Sequence, residues 1–338
     1  MKNTKKLYLL PAILNLFDGN TNVTTDTGLS EEMKTYYSDY LIDLAEPELV
    51  HDQFGQKHPI PKNGGKTIQF RKYDPLPKAL TPLTEGVTPD GQKLKMSVIE
   101  ATVSQYGGYV ELSDILLLTA IDNNLVIATE QLASQAGRTL DTITREVLNG
   151  GTNVQYAEGQ VDDRAELYFA DDDDNCNLSV GAIRRAVRFL KVMNARKING
   201  DYVAIIHPDC SFDLMNDPEW KYPHQYVDTS NIYENEIGKI AGVRFVETSE
   251  AKVFKGEGAS GRDVYSTLII GANAYGVTDI SGGGLEHIVK QLGSSGTADP
   301  LNQRGTAGWK ATKVAERLVE PYMVRIETTS TFNDISEN

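Results

Sequence analysis

The stretch DNNLVIATEQLASQAGRTLDTITREVLNGG, residues 122–151, has the strongest periodic pattern in the chain. Its apolar residues recur at spacings of three and four, which places them on one face of an α-helix. They are Leu125, Ala128, Leu132, Ala136, Leu140, Ile143 and Val147. Asp122 is a suitable cap at the start, and Asn149-Gly150-Gly151 is a typical stop. The predicted helix has about 27 residues and a length of about 40 Å, enough for the spine of a domain.

The region before this helix has the pattern of strands joined by turns. Thr67–Tyr73, Lys95–Ser104 and Gly107–Leu112 are rich in β-forming residues over strand lengths. Between the first two, Leu76–Leu94 holds three prolines among polar residues, so it is stiff but has too few apolar side chains for a core of its own. We interpret this region as an extended β loop that is either disordered or lies across another surface. Its candidate inter-subunit contacts are Leu80, Leu83 and Val87.

The N-terminal region predicts an arm followed by a short helix. Residues 18–30 are rich in Asn, Thr, Gly and Asp, which is typical of an extended segment. After Ser30, a suitable N-cap, apolar residues recur every three or four positions and form one apolar helix face. This face supplies three further candidate inter-subunit contacts, which are Met33, Tyr36 and Tyr40. Residues 1–17 imitate a secretion signal, but polar and proline interruptions and the lack of a cleavage site predict that they are not one.

The chain after residue 151 alternates helix and strand, which predicts an α/β layer with its own core. Ser179 caps a helix that we expect to stop at Asn199-Gly200. A second helix is predicted from Pro208 to Asn216, and Gly308–Glu320 and Tyr322–Glu327 are predicted to be two paired strands. Further strands are predicted at Tyr202–Ile206, Gly242–Glu247 and Val264–Ile270.

These segments divide the chain into five predicted parts. They are an arm with a short helix at 1–50, an extended β loop with flanking strands at 51–112, a spine helix at 113–150, an α/β domain at 151–305, and terminal strands with a tail at 306–338.

Composition limits the classes of function. The 338-residue chain is 40% hydrophobic and 24% charged, so it can bury a sizeable core. Its 33 basic and 47 acidic residues give a net charge of −14, the opposite of the basic surface expected of a protein that grips nucleic-acid phosphates. Two cysteines, Cys176 and Cys210, favour a reducing compartment. No stretch reaches the ~20 apolar residues of a membrane span.

No motif meets the requirements of a catalytic, cofactor or metal site. Gly64-Gly65-Lys66-Thr67 lacks the earlier glycine of a phosphate loop, and stretch 256–261, although it matches G-x-G-x-x-G, precedes a strand and is interpreted as a hairpin loop. The five histidines lack zinc-ligand spacing. Asp171–Asp174 lacks the spacing of a calcium loop and is interpreted as a solvated loop. We therefore predict no catalytic residue, cofactor or metal.

The order of the segments resembles the Hong Kong 97-type capsid fold. That α+β fold has an N-terminal arm, an extended β loop, a peripheral domain with a long spine helix, and an α/β axial domain. Several stretches are similar to the tailed-bacteriophage major capsid protein family that includes the coliphage N-four coat protein. The most specific is Glu236–Glu247, and the others are Leu112–Leu116, Gln135–Ile143, His207–Asp209, Asp217–Lys221 and Gly308–Ala311.

The resemblance implies a structural protein, not an enzyme. It implies self-assembly, as pentamers and hexamers, into an icosahedral shell that encloses double-stranded DNA without sequence-specific binding. It also implies portal, scaffolding and decoration proteins as partners, no membrane association, synthesis in the bacterial host cytoplasm, and a final location in the virion capsid.

Two alternatives stay open at this point. An encapsulin-like compartment shell would share the fold but would need a cargo pocket. An α/β hydrolase would need a nucleophile and a base, for which His207, Asp209 and Cys210 are the candidates at the end of a predicted strand. A strand-to-helix turn, with Pro208 at the first helical position, is the better interpretation of that stretch.

Overall fold

A computed structural model describes residues 49–59, 66–73, 76–83, 85–88, 90–119, 124–157, 161–168, 176–224, 236–278, 285–292 and 300–332. The predicted arm and short helix up to residue 48, with Met33, Tyr36 and Tyr40, lie outside the described residues. The same holds for Asp171–Asp174.

The described chain contains helices and strands in mixed order. The α-helices are α1 Asp114–Thr119, α2 Asn124–Asn149, α3 Val180–Val192, α4 Pro208–Asn216 and α5 Pro218–His224. The strands are β1 Gln56–His58, β2 Thr67–Tyr73, β3 Met96–Thr102, β4 Ser104–Ser113, β5 Val154–Tyr156, β6 Tyr202–Ile206, β7 Glu236–Ile240, β8 Val243–Glu247, β9 Val253–Phe254, β10 Val264–Ile270, β11 Tyr275–Thr278, β12 Leu285–Lys290, β13 Arg304–Lys313, β14 Ala315–Arg317 and β15 Met323–Thr328.

The long helix predicted from the opening stretch is α2, which has 26 residues. Its apolar stripe is buried because the three-stranded sheet β12-β13-β4 lies against it. Leu132 and Leu140 of the helix share a core with Trp309 of β13, and the indole Nε1 of Trp309 donates to Gln135 Oε1 over 3.1 Å. The predicted cap, Asp122, lies outside the described residues.

A second core surrounds a seven-stranded sheet in the order β5-β15-β10-β6-β8-β7, with β9 beside β10. The pairs β5–β15 and β6–β8 are parallel, and the others are antiparallel. All seven residues of β10 are buried, as expected for a strand covered on both faces. On one face, α3 contributes Ile183, Val187 and Leu190 to the core.

The predicted end of α3 is wrong, because the helix stops at Val192 and not at Asn199. Asn194 adopts a left-handed φ of 55°, and the next amide, of Ala195, donates to the Leu190 carbonyl over 3.0 Å. These are the features of a Schellman ending, which asparagine can supply in place of glycine. The Asn199-Gly200 pair instead forms a tight turn between Ile198 and Asp201.

The predicted pairing of the two C-terminal strands is also wrong. Strand β13 pairs with β12 and, over ten residues, with β4. Strand β15 pairs with β10 and β5 in the other sheet. All six residues of β15 are buried, so this strand needs cover on both faces, which the middle of the seven-stranded sheet provides.

Strands β2 and β3 form an antiparallel two-stranded ribbon from Thr67 opposite Thr102 to Tyr73 opposite Met96. Its base belongs to a small core that contains Phe70, Ala101 and Leu318. The loop that joins the two strands starts at the far end of this ribbon, so only the base is held by the rest of the chain.

We expect Leu140→Ala to lower the free energy of unfolding by about 2–5 kcal/mol, because the fully buried side chain leaves a cavity between α2 and its sheet. Chemical denaturation measures the change. Gln131→Ala, at an exposed position of the same helix, is the control and should change stability by about 0.5 kcal/mol or less. Similar losses for the two variants would contradict this account of the first core.

Candidate inter-subunit surfaces

The loop between β2 and β3 exposes the apolar residues that the sequence singles out. Leu80, Leu83 and Val87 have 82%, 76% and 62% of their surface exposed. Leu76, before them, and Leu94, after them, are also exposed. Several large exposed apolar side chains on one excursion are typical of a surface that another chain covers. Within the part of the chain that the structure describes, these side chains have no such cover.

Local sequence explains why this loop extends away from its own core. Pro77 and Pro82 restrict the backbone and remove amide donors, so they oppose pairing into the ribbon. Gly86 takes a φ of 78°, which a residue with a side chain rarely adopts, and so permits the turn in the loop. The Gln92 side chain donates across the loop to the Pro77 carbonyl over 3.4 Å.

A buried polar cluster fixes the segment 49–54 to the spine helix. The main-chain amide and the ring Nδ1 of His51 donate to the two carboxylate oxygens of Asp141 on α2, each over 2.7 Å. The Thr144 hydroxyl donates to Asp52 over 2.6 Å, and Lys313 of β13 forms an ion pair with the same carboxylate. Segment 49–54 is therefore held at a fixed position against α2.

Tyr275, on strand β11 of the three-stranded sheet β1-β11-β14, closes this cluster. Its hydroxyl donates to the His51 carbonyl. Burial, together with the nearby carboxylates of Asp52 and Asp141, raises the pKa of Tyr275 well above its ordinary value. The phenol therefore stays a neutral donor.

An open groove of about 1120 Å³ runs between the second half of α2 and the segment Glu250–Lys255. Ion pairs cross it. Lys252 Nζ lies 2.9 Å from Glu146, and Arg145 donates to the Glu250 carbonyl over 2.7 Å. Burial raises the pKa of Glu146, but Lys252 and Arg145 outweigh that effect, so the pKa lies below its ordinary value. The groove is thus lined by charged side chains that pair across it.

The stretch considered for a hydrolase is a helix start. His207 caps α4, its Nδ1 accepting from the Asp209 amide over 3.2 Å, and Pro208 is the first helical residue. Cys210 is fully buried, and burial raises the pKa of its thiol far above the ordinary value, so the nucleophilic thiolate does not form. The Ser211 hydroxyl donates to Glu247 over 2.6 Å. This confirms the turn interpretation.

The other sequence motifs also have structural roles. Residues 256–261 join β9 to β10, which pair antiparallel, so the hairpin interpretation is confirmed. Thr67 starts strand β2, and Gly64 and Gly65 lie outside the described residues. Within the described ranges, no group of three or more His, Cys, Asp or Glu side chains is placed to hold a metal. No described helix is long and apolar enough to cross a membrane.

Sequence reasoning missed the buried polar cluster. His51 and Asp141 are 90 positions apart, and Lys313 and Asp52 are 261 apart. Such pairs leave no spacing pattern. The one signal in the sequence was weak. Asp141 and Thr144 lie beside the predicted apolar stripe of the helix, where polar residues usually face solvent.

A family model described as "Phage capsid protein" matches residues 97–334, more than two thirds of the chain. No curated protein matches the sequence. Among solved structures, the chain is similar to the "Capsid of Ralstonia phage GP4", with a TM-score of 0.59 and 16% identity over 81% of this chain and 86% of that one. It is also similar to the capsid of Cyanophage P-SCSP1u, with a TM-score of 0.60 and 12% identity over 84% and 89%.

These likenesses confirm the predicted Hong Kong 97-type α+β capsid fold. The narrower likeness to the coliphage N-four coat protein stays a prediction.

We expect Asp52→Ala to lower the free energy of unfolding by about 3–5 kcal/mol, because it leaves the Lys313 ammonium buried without its counter-charge. Glu286→Ala is the control. Glu286 is the exposed partner of Lys310, which lies on β13 like Lys313. Its removal should lower the free energy of unfolding by about 1 kcal/mol or less. Urea titrations of both variants give the comparison, and a loss for Asp52→Ala no larger than that of the control would refute the anchoring role.

Proposed function

Because this chain belongs to the phage capsid protein family, we propose that its exposed β2–β3 loop is the contact by which one subunit of the shell holds the next. The chain is a structural protein of the capsid shell and has its place in the virion. The comparisons give no support to an encapsulin-like compartment or to an α/β hydrolase.

The observation that carries the proposal is the exposure of Leu80, Leu83 and Val87 at the end of a ribbon whose base is buried. Full burial of a leucine or valine side chain is worth roughly 1.5–3 kcal/mol. Three such side chains are a substantial contact once a neighbour covers them. The prolines of the loop restrict its free states, so less entropy is lost when it docks.

The arm gives a second proposed contact. Its apolar face, with Met33, Tyr36 and Tyr40, comes from the sequence, and the His51–Asp141 contacts supply the fixed point from which the arm starts. Each subunit then meets neighbours through loop and arm in the pentamers and hexamers of the shell. Modest contacts suffice there, because binding constants multiply when several contacts form together.

The two sheets also suggest the domain division. We assign α2 with β4, β12 and β13 to the peripheral domain, and the seven-stranded sheet with α3 and α4 to the axial domain. In this assignment β12 belongs to the peripheral domain and β15 to the axial domain. It therefore differs from the predicted division into an axial domain at 151–305 and peripheral terminal strands at 306–338. The β2–β3 ribbon is the extended loop, and residues 1–50 are the arm.

Membership of the family supports the proposal of the remaining partners. We infer that the shell encloses double-stranded DNA without sequence-specific binding, which the net charge of −14 supports. Portal, scaffolding and decoration proteins are the other proposed partners, and the host cytoplasm is the proposed site of synthesis. The burial of Cys210 and the capping role of His207 support a chain without catalysis.

We expect Leu80→Ser combined with Leu83→Ser to leave the thermal stability of the free subunit nearly unchanged and to reduce the yield of particles at least tenfold. The physical reason is that both side chains are exposed in the single chain, so their burial is lost only between chains. Differential scanning calorimetry and particle counts by electron microscopy measure the two effects. Leu76→Ser, at a less exposed position of the same loop, is a graded control.

Hydrogen exchange distinguishes docking between subunits from docking within one. The amides of 78–88 should exchange freely in the free subunit and become protected in particles, while those of β2 and β3 are protected in both. Protection of the loop already in the free subunit would mean that it folds onto its own chain.

A further inference from the structure

Two oppositely charged stretches occur in the sequence of the α/β part of the chain. Between positions 181 and 200 there are six basic and no acidic residues. Between positions 158 and 174 there are eight acidic residues and one basic residue. The chain has a net charge of −14, so the charge of the basic block is opposite to that of the chain as a whole. Separate basic and acidic stretches give the domain one positive and one negative region.

The basic surface is a stripe on the exposed side of α3. Arg184, Arg188 and Lys191 line a shallow depression together with Ala241, in the turn between β7 and β8. All three basic side chains are exposed, and Arg184 pairs with the equally exposed Glu219 over 2.6 Å.

A neighbouring charge cluster does not belong to this stripe. Val243 and Phe245 of β8 pack in the core that contains α3, so Arg244 between them projects to the other face of the sheet. Asp201, which is nearly buried, lies there 3.3 Å from Arg244 Nε and 2.6 Å from Lys239 Nζ. The basic charge on the α3 side is therefore that of the exposed stripe Arg184, Arg188 and Lys191.

The acidic surface is the segment that follows β5. Within the described residues 161–168, Asp162, Asp163 and Glu166 are exposed. Arg164, the one base among them, turns inward, where its Nε and Nη2 each lie 2.7 Å from the carboxylate of fully buried Glu327. Its guanidinium also covers the Phe254 ring and pairs with Glu257. The outer side of the segment keeps its negative charge.

The two surfaces occupy opposite faces of the seven-stranded sheet. Successive residues of a strand point to opposite faces. In β15, Val324 and Ile326 pack in the core that contains α3. Glu327, the next residue, therefore projects to the other face, and Arg164 holds the acidic segment there. The sheet and its helix layer lie between the two surfaces, and no ion pair among the described residues joins Asp162, Asp163 or Glu166 to the α3 stripe.

We propose that these surfaces meet between subunits, the acidic segment at Asp162 and Glu166 of one copy docking against the α3 stripe of the next copy in the ring. The inference rests on the proposed function, since it concerns how copies are arranged in the shell. Contact between unlike surfaces of identical chains runs head to tail and closes into a ring when the rotation permits. Complementary charge fixes the register of such a contact and speeds its formation.

A second copy fits this stripe better than a nucleic acid does. Every subunit brings one acidic segment and one basic stripe, so the two are present in equal numbers. The stripe is short and bordered by Glu219, and the rest of the chain is acidic, so a long polyanion lying across the surface would meet repulsion on either side.

Charge reversal in the full-length chain tests the proposal. One variant carries Arg188→Glu and Lys191→Glu, a second carries Asp162→Lys and Glu166→Lys, and a third carries all four. Circular dichroism checks that each is folded, which exposed positions favour. We expect each double variant to lose at least tenfold in particles or rings, and the fourfold variant to recover most of the loss, because it restores opposite charges at every contact with the signs exchanged.

Sedimentation of the wild-type protein gives a readout that needs no variant. Oligomers at low salt should dissociate toward monomer in about 1 M salt, where the screening length is about 3 Å. Either double variant assembling as well as the wild type, or no recovery in the fourfold variant, overturns the inference. If the loop variants at Leu80 and Leu83 still abolish particles in that case, the proposed function stands and only the charge contact fails.

A gel-shift assay with duplex DNA tests whether a nucleic acid, and not a second copy, binds the α3 stripe. We expect no shift that depends on Arg188 and Lys191. A shift that the Arg188→Glu, Lys191→Glu variant removes while particle yield stays unchanged would assign the stripe to nucleic acid and overturn the contact between copies.

Discussion

The spine helix α2 is the constraint on which the rest of the structure depends, because both cores are attached to it. One side is buried under β4, β12 and β13. Its last residue, Asn149, accepts from the Ser266 hydroxyl of β10 over 2.5 Å and, through its carbonyl, from the Arg325 guanidinium of β15. The two sheets therefore share one rigid rod of about 39 Å, at about 1.5 Å per residue. Moving the helix would break contacts in both cores at once.

The buried ionic groups set geometry more than they add stability. Taking Asp52 and Lys313 out of water costs free energy that their attraction only roughly returns. Their contribution is to fix positions, because hydrogen bonds and ion pairs to Asp52 and Asp141 form only when segment 49–54, α2 and β13 are correctly placed. An apolar contact would tolerate small shifts in register, whereas a buried carboxylate does not. In a shell, where each subunit transmits its shape to its neighbours, a precisely fixed position of segment 49–54 is the useful property.

The sequence predicts those parts of the fold whose cause is local. The stripe of α2, the Pro208 start of α4 and the apolar run of β10 all appear where their patterns place them. One error concerns a competing local signal, because Asn194 supplies the left-handed residue that ends α3 ahead of the Asn199-Gly200 pair. The other arises where distant partners decide, because β15 pairs with β5 and β10 and not with its sequence neighbour. The exposure of the loop residues could be predicted, because a segment with few apolar residues is recognisable from its local sequence. The cluster at His51 and Asp141 could not be predicted, because its members come together only in the folded chain.

The low sequence identity to known capsids also has a physical explanation. Chains that agree at 16% or 12% of positions keep this fold with TM-scores near 0.6. Many sequences can supply a long apolar stripe or a strand buried on both faces, so one fold is compatible with such low identity. The surfaces between subunits carry a different constraint, because they must fit only another copy of the same chain. A change on one side can then be matched by a change on the other within a single gene product. Charge and loop composition can therefore differ widely from capsid to capsid, while the frame that presents them stays recognisable.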